Sequence, residues 1–474
     1  MDIPVFHLDF LNDRMLIAII AVLHVVINHG MAVGGIPLVS YLERRGVKSG
    51  DPSWDVLAFR ILSFFFIITT TIGALTGVGI WLSASLVNPY AIGSLIRVFF
   101  WTWFTEWLVF VTEVVLILAY YLSWKSWTGP RKAAHAKLGV VLSVASWVTM
   151  ALIVSILSFM MDPGSWRSDK TLLSGMFNPV YLPQLAFRTP LAMVMAGAFG
   201  LLVLLWATEA GSALRANAVR AIGRWILAWT APCVLGGLWY AHAVPDAMKA
   251  RLPVALLTQA LESWAHTALW VLACACAAIA LTALWAALRP HATRGWALVL
   301  PAVLSIVLLG TFERVREFVR KPYAIADYLY SNGIRKADYA LLQRDGMLAH
   351  ATYTPVRTIT ADNELIAGRE VFNLACTRCH TVDGINGIRG VLDTLYGEHA
   401  LWDEHTLASY VGAMHNARPF MPPFPGSERE KQALATYLVH LQTHREVIEG
   451  AQVTGVSSPP RPLRRSDGTL ALTP

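Results

Sequence analysis

Thr311-Phe312-Glu313-Arg314-Val315-Arg316-Glu317-Phe318-Val319-Arg320-Lys321-Pro322-Tyr323 is the stretch in which a long apolar run ends and polar sequence begins. Glu313/Arg316 and Glu317/Arg320 are spaced i,i+3 and Glu317/Lys321 i,i+4, so the segment reads as a helix whose last turns carry ion pairs. Pro322 lacks an amide hydrogen and is expected to stop it. Upstream the run is long enough to cross a bilayer. Seven more such runs precede it, near 15–39, 61–86, 97–122, 138–160, 190–208, 225–243 and 264–288, with the eighth at 296–312. About 17 to 25 apolar residues are needed for each crossing.

Composition agrees. Of 474 residues 55% are hydrophobic and 15% charged, with a mean hydropathy of +0.50 and eighteen tryptophans. That pattern excludes an ordinary soluble enzyme and suits a membrane protein with interfacial aromatic belts. The net charge of +7 is placed by orientation rather than by an acidic partner. Arg44, Arg45 and Lys48, then Lys125, Arg131, Lys132 and Lys137, then Arg215, Arg220 and Arg224, then Arg289 and Arg294 follow spans one, three, five and seven. The positive-inside rule therefore predicts an N-terminus outside the cytoplasmic membrane. Asp2, Asp9 and Asp13 in place of a basic n-region, and a first run too long for an h-region, read as a retained anchor. Cys233, Cys274 and Cys276 lie in apolar runs and are expected to pack there.

A charge at the bilayer centre costs at least roughly 2.5 kcal/mol, so ionisable residues within the spans carry information. His24 and His29 lie in span one, five residues apart and thus about 140° around a helix, so one iron is not expected to take both. Either could also be a neutral histidine bonded to a carbonyl. Glu106 and Glu113 in span three are seven apart and share a face, which suits a proton path or a pair of neutral carboxyls. His266 in span seven is ambiguous.

Downstream lies Cys376-Thr377-Arg378-Cys379-His380. Two thiols separated by two residues and followed by histidine is the spacing of covalent haem c attachment. No second ligand pair follows to make a zinc site, and no βαβ setting supports a thioredoxin-type pair. Haem c belongs outside the cytoplasmic membrane, which eight crossings from an external N-terminus also predict. Residues 324–361 read as a polar connector, 362–446 as the haem-bearing domain and 447–474 as a disordered tail. Within the domain, Gly368–Leu374 reads as the helix before the motif, and Ser427 as the N-cap of a last helix running to about His444. The domain resembles class I cytochrome c. That resemblance makes Met421, in Phe420-Met421-Pro422-Pro423-Phe424, the expected sixth iron ligand, with Met414 and His415 as competitors. No proline occurs between His380 and Pro419, whereas the family has one near the proximal histidine, so another group has to orient the ring.

The membrane half, over about residues 10–325, resembles subunit I of cytochrome bd oxidases. Glu317, Arg320 and Lys321-Pro322-Tyr323 stand where that family has Glu, Arg and Gln-Pro-Trp at the end of its eighth helix. Arg14 through His24 resembles its first helix, Ile72-Gly73-Ala74-Leu75-Thr76-Gly77 its second and Asn178-Pro179-Val180 the lead-in to its fifth. Glu106 and Glu113 match the carboxylates of its third, and His135 a histidine opening its fourth. The resemblance implies an all-α bundle of eight transmembrane helices (1–323) with a small α-helical cytochrome c domain appended. It implies His24 and Glu317 as ligands of two b- or d-type haems, with His29 a weaker metal candidate, and Arg320 beside them. Glu113 and Glu106, with His135, would lead protons inward. Two departures matter. Arg188 occupies the place of the family's low-spin haem histidine, and no methionine lies near His266. The long loop between helices six and seven that forms the quinol site is absent.

The expectation is thus a haem-containing subunit of a bd-type reductase in the cytoplasmic (inner) membrane. It would be fed by an external donor through one haem c rather than by quinol, with O2 the expected acceptor and nitric oxide an alternative. A second membrane subunit is implied by the resemblance, and membrane lipid by composition. The alternatives are an electron-transfer subunit whose catalysis lies elsewhere, and a membrane anchor for the haem c alone. Nothing suggests nucleic-acid binding.

Overall fold

The structure is a computed structural model that describes residues 7–397 and 400–443. The expected tail at 447–474 and the end of the expected last helix lie outside the described residues. Among those described, eight helices are long and apolar enough to cross a membrane: α1 (Asp13–Ser49), α2 (Pro52–Val87), α3 (Phe100–Ser123), α4 (Pro130–Phe159), α5 (Tyr181–Ala207), α6 (Ala213–Ala243), α7 (Leu261–Leu288) and α8 (Gly295–Val319). Each corresponds to one expected span; five contain it whole, while α3 starts at Phe100 rather than 97 and α4 and α5 end at Phe159 and Ala207, one residue short. Most run past the apolar stretch, because basic and polar end segments such as Arg44–Lys48 and Arg131–Lys137 remain good helix formers. Leu75, Trp101, Trp107, Leu235 and Trp270 are exposed, as side chains facing lipid must be. Cys274 and Cys276 also lie on the exposed surface rather than inside the bundle.

The chain forms two units. One comprises Ile20–Gly79 and Leu95–Val319 and the other Met1–Ile19, Ile80–Ser94 and Arg320–Pro474. In the first unit α5 is the central helix, with Ala192, Met195, Ala196, Ala198 and Leu201 fully buried. Small residues let neighbours approach it: a Cβ on Gly34 of α1 would fall 2.0 Å from the Ala192 carbonyl, and one on Gly236 of α6 2.3 Å from the Ala186 carbonyl. Single π-turns interrupt α1 at Asn28–Val33 and α2 at Thr69–Gly73. Such turns re-aim side chains and recur at functional positions.

The second unit has its own core of Tyr330, Leu342, Val371, Phe372, Leu407, Leu434, Tyr437 and their neighbours. After α8 a short antiparallel pair, β1 (Tyr323–Ile325) and β2 (Leu329–Tyr330), leads to α9 (Tyr339–Asp345), α10 (Glu364–Ala375), α11 (Ile388–Tyr396), α12 (Glu404–Ala417) and α13 (Glu428–Thr443). Residues 324–361 therefore differ from the polar connector expected of them. Tyr330, Ile334, Leu342, Met347 and Leu348 pack into the core. The last helix begins as expected with Ser427, in a reciprocal cap: the Glu430 amide donates to Ser427 Oγ at 3.4 Å, and the Ser427 amide to Glu430 Oε2 at 2.8 Å. The same buried carboxylate accepts from the Met347 and Leu348 amides at 2.9 and 2.8 Å, which ties the supposed connector to α13.

Helices α10 and α13 cross in close contact at Gly368, where a Cβ would lie 1.9 Å from the Ala433 carbonyl, and Phe372 meets Tyr437 at a ring separation of 5.8 Å. Gly368→Val is expected to cost about 3 kcal/mol, because backbone blocks the new side chain. The midpoint of urea-dependent proteolysis of the C-terminal unit measures it.

Candidate functional site

Helix α10 delivers the Cys376–His380 segment. It stops at Cys376, whose carbonyl accepts from both the Cys379 and His380 amides at 2.9 Å, so the motif is one tight turn. Thr377 and Arg378 point inward and are buried, while both cysteines and His380 are half-buried. Arg378 anchors the turn: its Nε donates to the Val87 carbonyl at 2.8 Å and its Nη1 to that of Leu374 at 3.2 Å. The N-terminal segment completes the setting. The Arg14 amide donates to the Arg378 carbonyl at 3.2 Å, the Ile385 amide to the Phe10 carbonyl at 3.1 Å, and Asn12 Nδ2 to the Ile385 carbonyl at 3.2 Å.

Both thiols are free. Burial, with Cys379 adjacent, pushes the Cys376 thiol up to about 12. Burial acts the same way on Cys379, but Arg14, Lys321 and Arg378 outweigh it and pull that thiol below its usual range. Arg14 Nη1 lies 3.7 Å from Cys379 Sγ. Since the thiolate is the nucleophile, Cys379 is the more reactive of the two.

His380 is oriented without a proline. Its Nδ1 lies 3.1 Å from the Asn386 carbonyl and 3.2 Å from Asn386 Nδ2; with the proton on Nδ1 the ring donates to that carbonyl and Nε2 keeps its lone pair. Asn386 takes φ +58°, a conformation asparagine tolerates, and its amide donates to the Cys379 carbonyl at 2.6 Å. Burial holds the ring neutral, down to about 4, the form that binds iron. A carbonyl on the far nitrogen is the usual support of a ligating histidine. Met421 is half-buried, with its amide bonded to the Arg418 carbonyl at 2.8 Å. Of the competing ligands, Met414 packs against the core, and His415 donates Nδ1 to the Met421 carbonyl at 2.6 Å, the same support that His380 has.

In the membrane unit His24 repeats the arrangement of His380. Its Nδ1 lies 3.1 Å from the Gly73 carbonyl and 3.2 Å from Thr76 Oγ1, at the π-turn of α2. Again the carbonyl fixes the proton on Nδ1 and leaves Nε2 bare. Gly77 keeps α2 close, since a Cβ there would be 3.2 Å from His24 Cε1. His29 is aimed differently. Its Nε2 lies 3.2 Å from Arg188 Nη1, and the ring is buried at the π-turn of α1. Arg188, fully buried on α5, donates through Nη2 to Glu313 Oε1 at 2.5 Å, and Arg316 Nε to Glu313 Oε2 at 2.8 Å. The i,i+3 pair Glu313/Arg316 is thus present as the spacing suggested, and Arg188 joins it from 125 residues away. Glu317 is half-buried near the end of α8, and Arg320 Nη1 donates to the Ala324 carbonyl at 2.7 Å. His266 is exposed.

Glu106 and Glu113 both lie on the more buried stripe of α3. Ser146 and Thr149 of α4 donate to Glu113 at 2.6 and 3.1 Å. One further seven-residue step along α3 is Tyr120, whose hydroxyl donates to Glu43 Oε2 at 2.6 Å. His135 Nδ1 lies 2.5 Å from Glu43 Oε1 and its Nε2 2.9 Å from the Tyr120 carbonyl. Lys132 bridges Glu43 and Asp55 at 2.9 and 2.6 Å. Of this cluster the sequence had singled out only His135 and counted Lys132 as a loop charge. The available signal was Glu43 standing in the buried α1 stripe Ile36, Val39, Glu43, Gly46, where an apolar residue is expected. Among the described residues no group of three or more His, Cys, Asp or Glu converges as a bare metal-ion site.

No protein-family model matches the sequence, and no curated protein does. Among solved structures, a chain of the bd oxidase from Geobacillus thermodenitrificans aligns with a TM-score of 0.54 at 16% identity, over 67% of this chain and 89% of that one. The chain has the fold of that bd oxidase. The bd oxidase fold accounts for the eight-helix bundle and agrees with the all-α architecture and the multi-pass membrane character read from the sequence.

Proposed function

We propose that this chain is the haem-bearing subunit of a bd-type terminal reductase, in which a haem c held by Cys376, Cys379 and His380 replaces quinol as the entrance for electrons. The observation that carries the reading is shared by the two units. His380 and His24 each place Nδ1 against a backbone carbonyl and have no partner on Nε2 among the described residues, the arrangement of an iron-ligating imidazole. When bound, the haems supply one-electron chemistry and, at an iron with an open position, reduction of O2 to water. The residues do the rest. Cys376 and Cys379 present thiols to two vinyl groups, and Met421 offers a thioether from the Pro-rich loop before α13. Glu317 offers a carboxylate ligand from the end of α8. Glu113, which accepts hydrogen bonds from the Ser146 and Thr149 hydroxyls, holds and relays protons along α3 toward Glu106. The donor is external and the N-terminus and C-terminal unit lie on the outer side of the inner membrane, with a second membrane subunit alongside.

A second reading, an electron-transfer subunit whose catalysis lies elsewhere, rests on His29. Arg188 donates to His29 Nε2, which puts the proton on Nδ1, so the ring would ligate an iron only through Nε2 with Arg188 turned away.

A reduced-minus-oxidised spectrum of the purified chain, with and without carbon monoxide, separates the two. The oxidase reading expects a c-type signal and a high-spin haem that responds to carbon monoxide; six-coordinate b and c signals alone would sink it. Glu317→Ala is expected to remove one membrane haem and spare the c signal. Retention of every haem would refute that ligand.

A further inference from the structure

The membrane unit contains a cavity of about 810 Å3 that no step above uses. One wall is α1, where Ser40, Arg44 and Lys48 recur at four-residue intervals and so share a face. The opposite wall is α4, with Val140, Val144 and Trp147, and Met193 and Trp225 close the groove. Polarity is divided along it. Arg44 and Lys48 are exposed, and neither pairs with a carboxylate among the described residues. Arg45, also at this end, stacks 4.7 Å from the Trp54 ring. The Ser40 hydroxyl, in a side chain 3% exposed, has no hydrogen-bond partner among the described residues.

Of the remaining lining, Tyr41 contributes a phenol and Ser49 spends its hydroxyl on the Gly46 carbonyl at 3.4 Å. Trp147 and Trp225 spend their indole N–H groups on Thr189 Oγ1 at 3.0 Å and the Met193 carbonyl at 2.8 Å, and Ser143 spends its hydroxyl on the Gly139 carbonyl at 2.7 Å. No aspartate, glutamate or histidine lines the cavity. Cations and an unsatisfied hydroxyl at one end, with apolar and aromatic walls beyond, match an amphiphile with an anionic head. A quinol would find no carboxylate or imidazole there to take its protons, and a quinone's neutral carbonyls gain less from two cations than a phosphate does.

We propose that this groove binds an anionic phospholipid, its phosphate held by Arg44 and Lys48 with Ser40 donating, and its acyl chains laid along Val140, Val144 and Trp147. Basic pockets between membrane helices bind lipid phosphates by this chemistry.

The test is native mass spectrometry of the delipidated full-length chain, titrated with phosphatidylglycerol or with phosphatidylcholine of the same acyl chains. Phosphatidylglycerol should be retained at least about tenfold better. Arg44→Gln/Lys48→Gln should weaken it about thirtyfold, the order expected of two basic residues at a lipid head. Arg289→Gln/Arg294→Gln, which removes two charges elsewhere, should change nothing. Val144→Trp, which fills the groove and keeps the cations, should also lose the lipid and serves if the double variant fails to fold. Equal retention of the two lipids, or an equal loss in the control variant, overturns the proposal. Displacement by inorganic phosphate would make this a simple anion site, and displacement by a short-chain quinone a quinone site; either result overturns it.

Discussion

Cys376→Ala/Cys379→Ala abolishes haem-dependent peroxidase staining of the chain on a denaturing gel, and oxygen consumption driven by an external donor falls to background. This is the expected result because the two thiols are the covalent attachment points proposed for the haem c. With both removed, only coordination through His380 and Met421 would remain, and a denaturing gel strips coordinated haem. Either single variant should still stain, since one thioether suffices to hold the group. The helical fold should persist in all three, because the buried members of the turn are Thr377 and Arg378, and Arg378 keeps its bonds to the Val87 and Leu374 carbonyls. Staining that survived the double change would mean that no covalent haem sits at this motif.

Glu313→Leu should destabilise the membrane unit by about 3–5 kcal/mol, the cost of stripping the partner from a buried charge. Here two guanidinium groups lose it. Arg188 is fully buried, and Glu313 is the carboxylate that receives both its Nη2 and Arg316 Nε. Adding Arg188→Met should recover more than half of the loss, because the deepest unpaired charge then leaves as well. Unfolding by sodium dodecyl sulfate in mixed micelles, followed by circular dichroism, measures the cycle. If the losses simply added, the two side chains would not be coupled.

The eight helices were legible because length and apolarity set a bilayer crossing by themselves, and Glu313/Arg316 was legible because its partners lie one helical turn apart. The role of Arg188 was not. Its sequence position marked only a missing histidine, and its pairing with Glu313 depends on how α5 and α8 pack. Glu43 was hidden for another reason: it adjoins Arg44 and Arg45, and a run of charges after a span reads as a loop. The support for His380 was invisible because it is a backbone carbonyl, which no side-chain pattern announces. Residues 324–361 misled because their buried apolar side chains recur without regular period, and what holds them to α13 is Glu430, a charged residue that composition assigns to the surface.

The bond from Asn12 to Ile385 joins residues 373 apart in the chain. Arg14 and Arg378, and Val87 and Arg378, are separated by comparable distances. A ribosome makes Phe10 through Arg14 first and the Cys376–His380 turn near the end. The setting around the turn therefore cannot close until all eight helices have been synthesised. Contacts this distant in sequence form late in folding. The setting of this turn is accordingly completed late in assembly, and a chain interrupted anywhere in the membrane half would leave Phe10 through Arg14 waiting for a partner that never emerges.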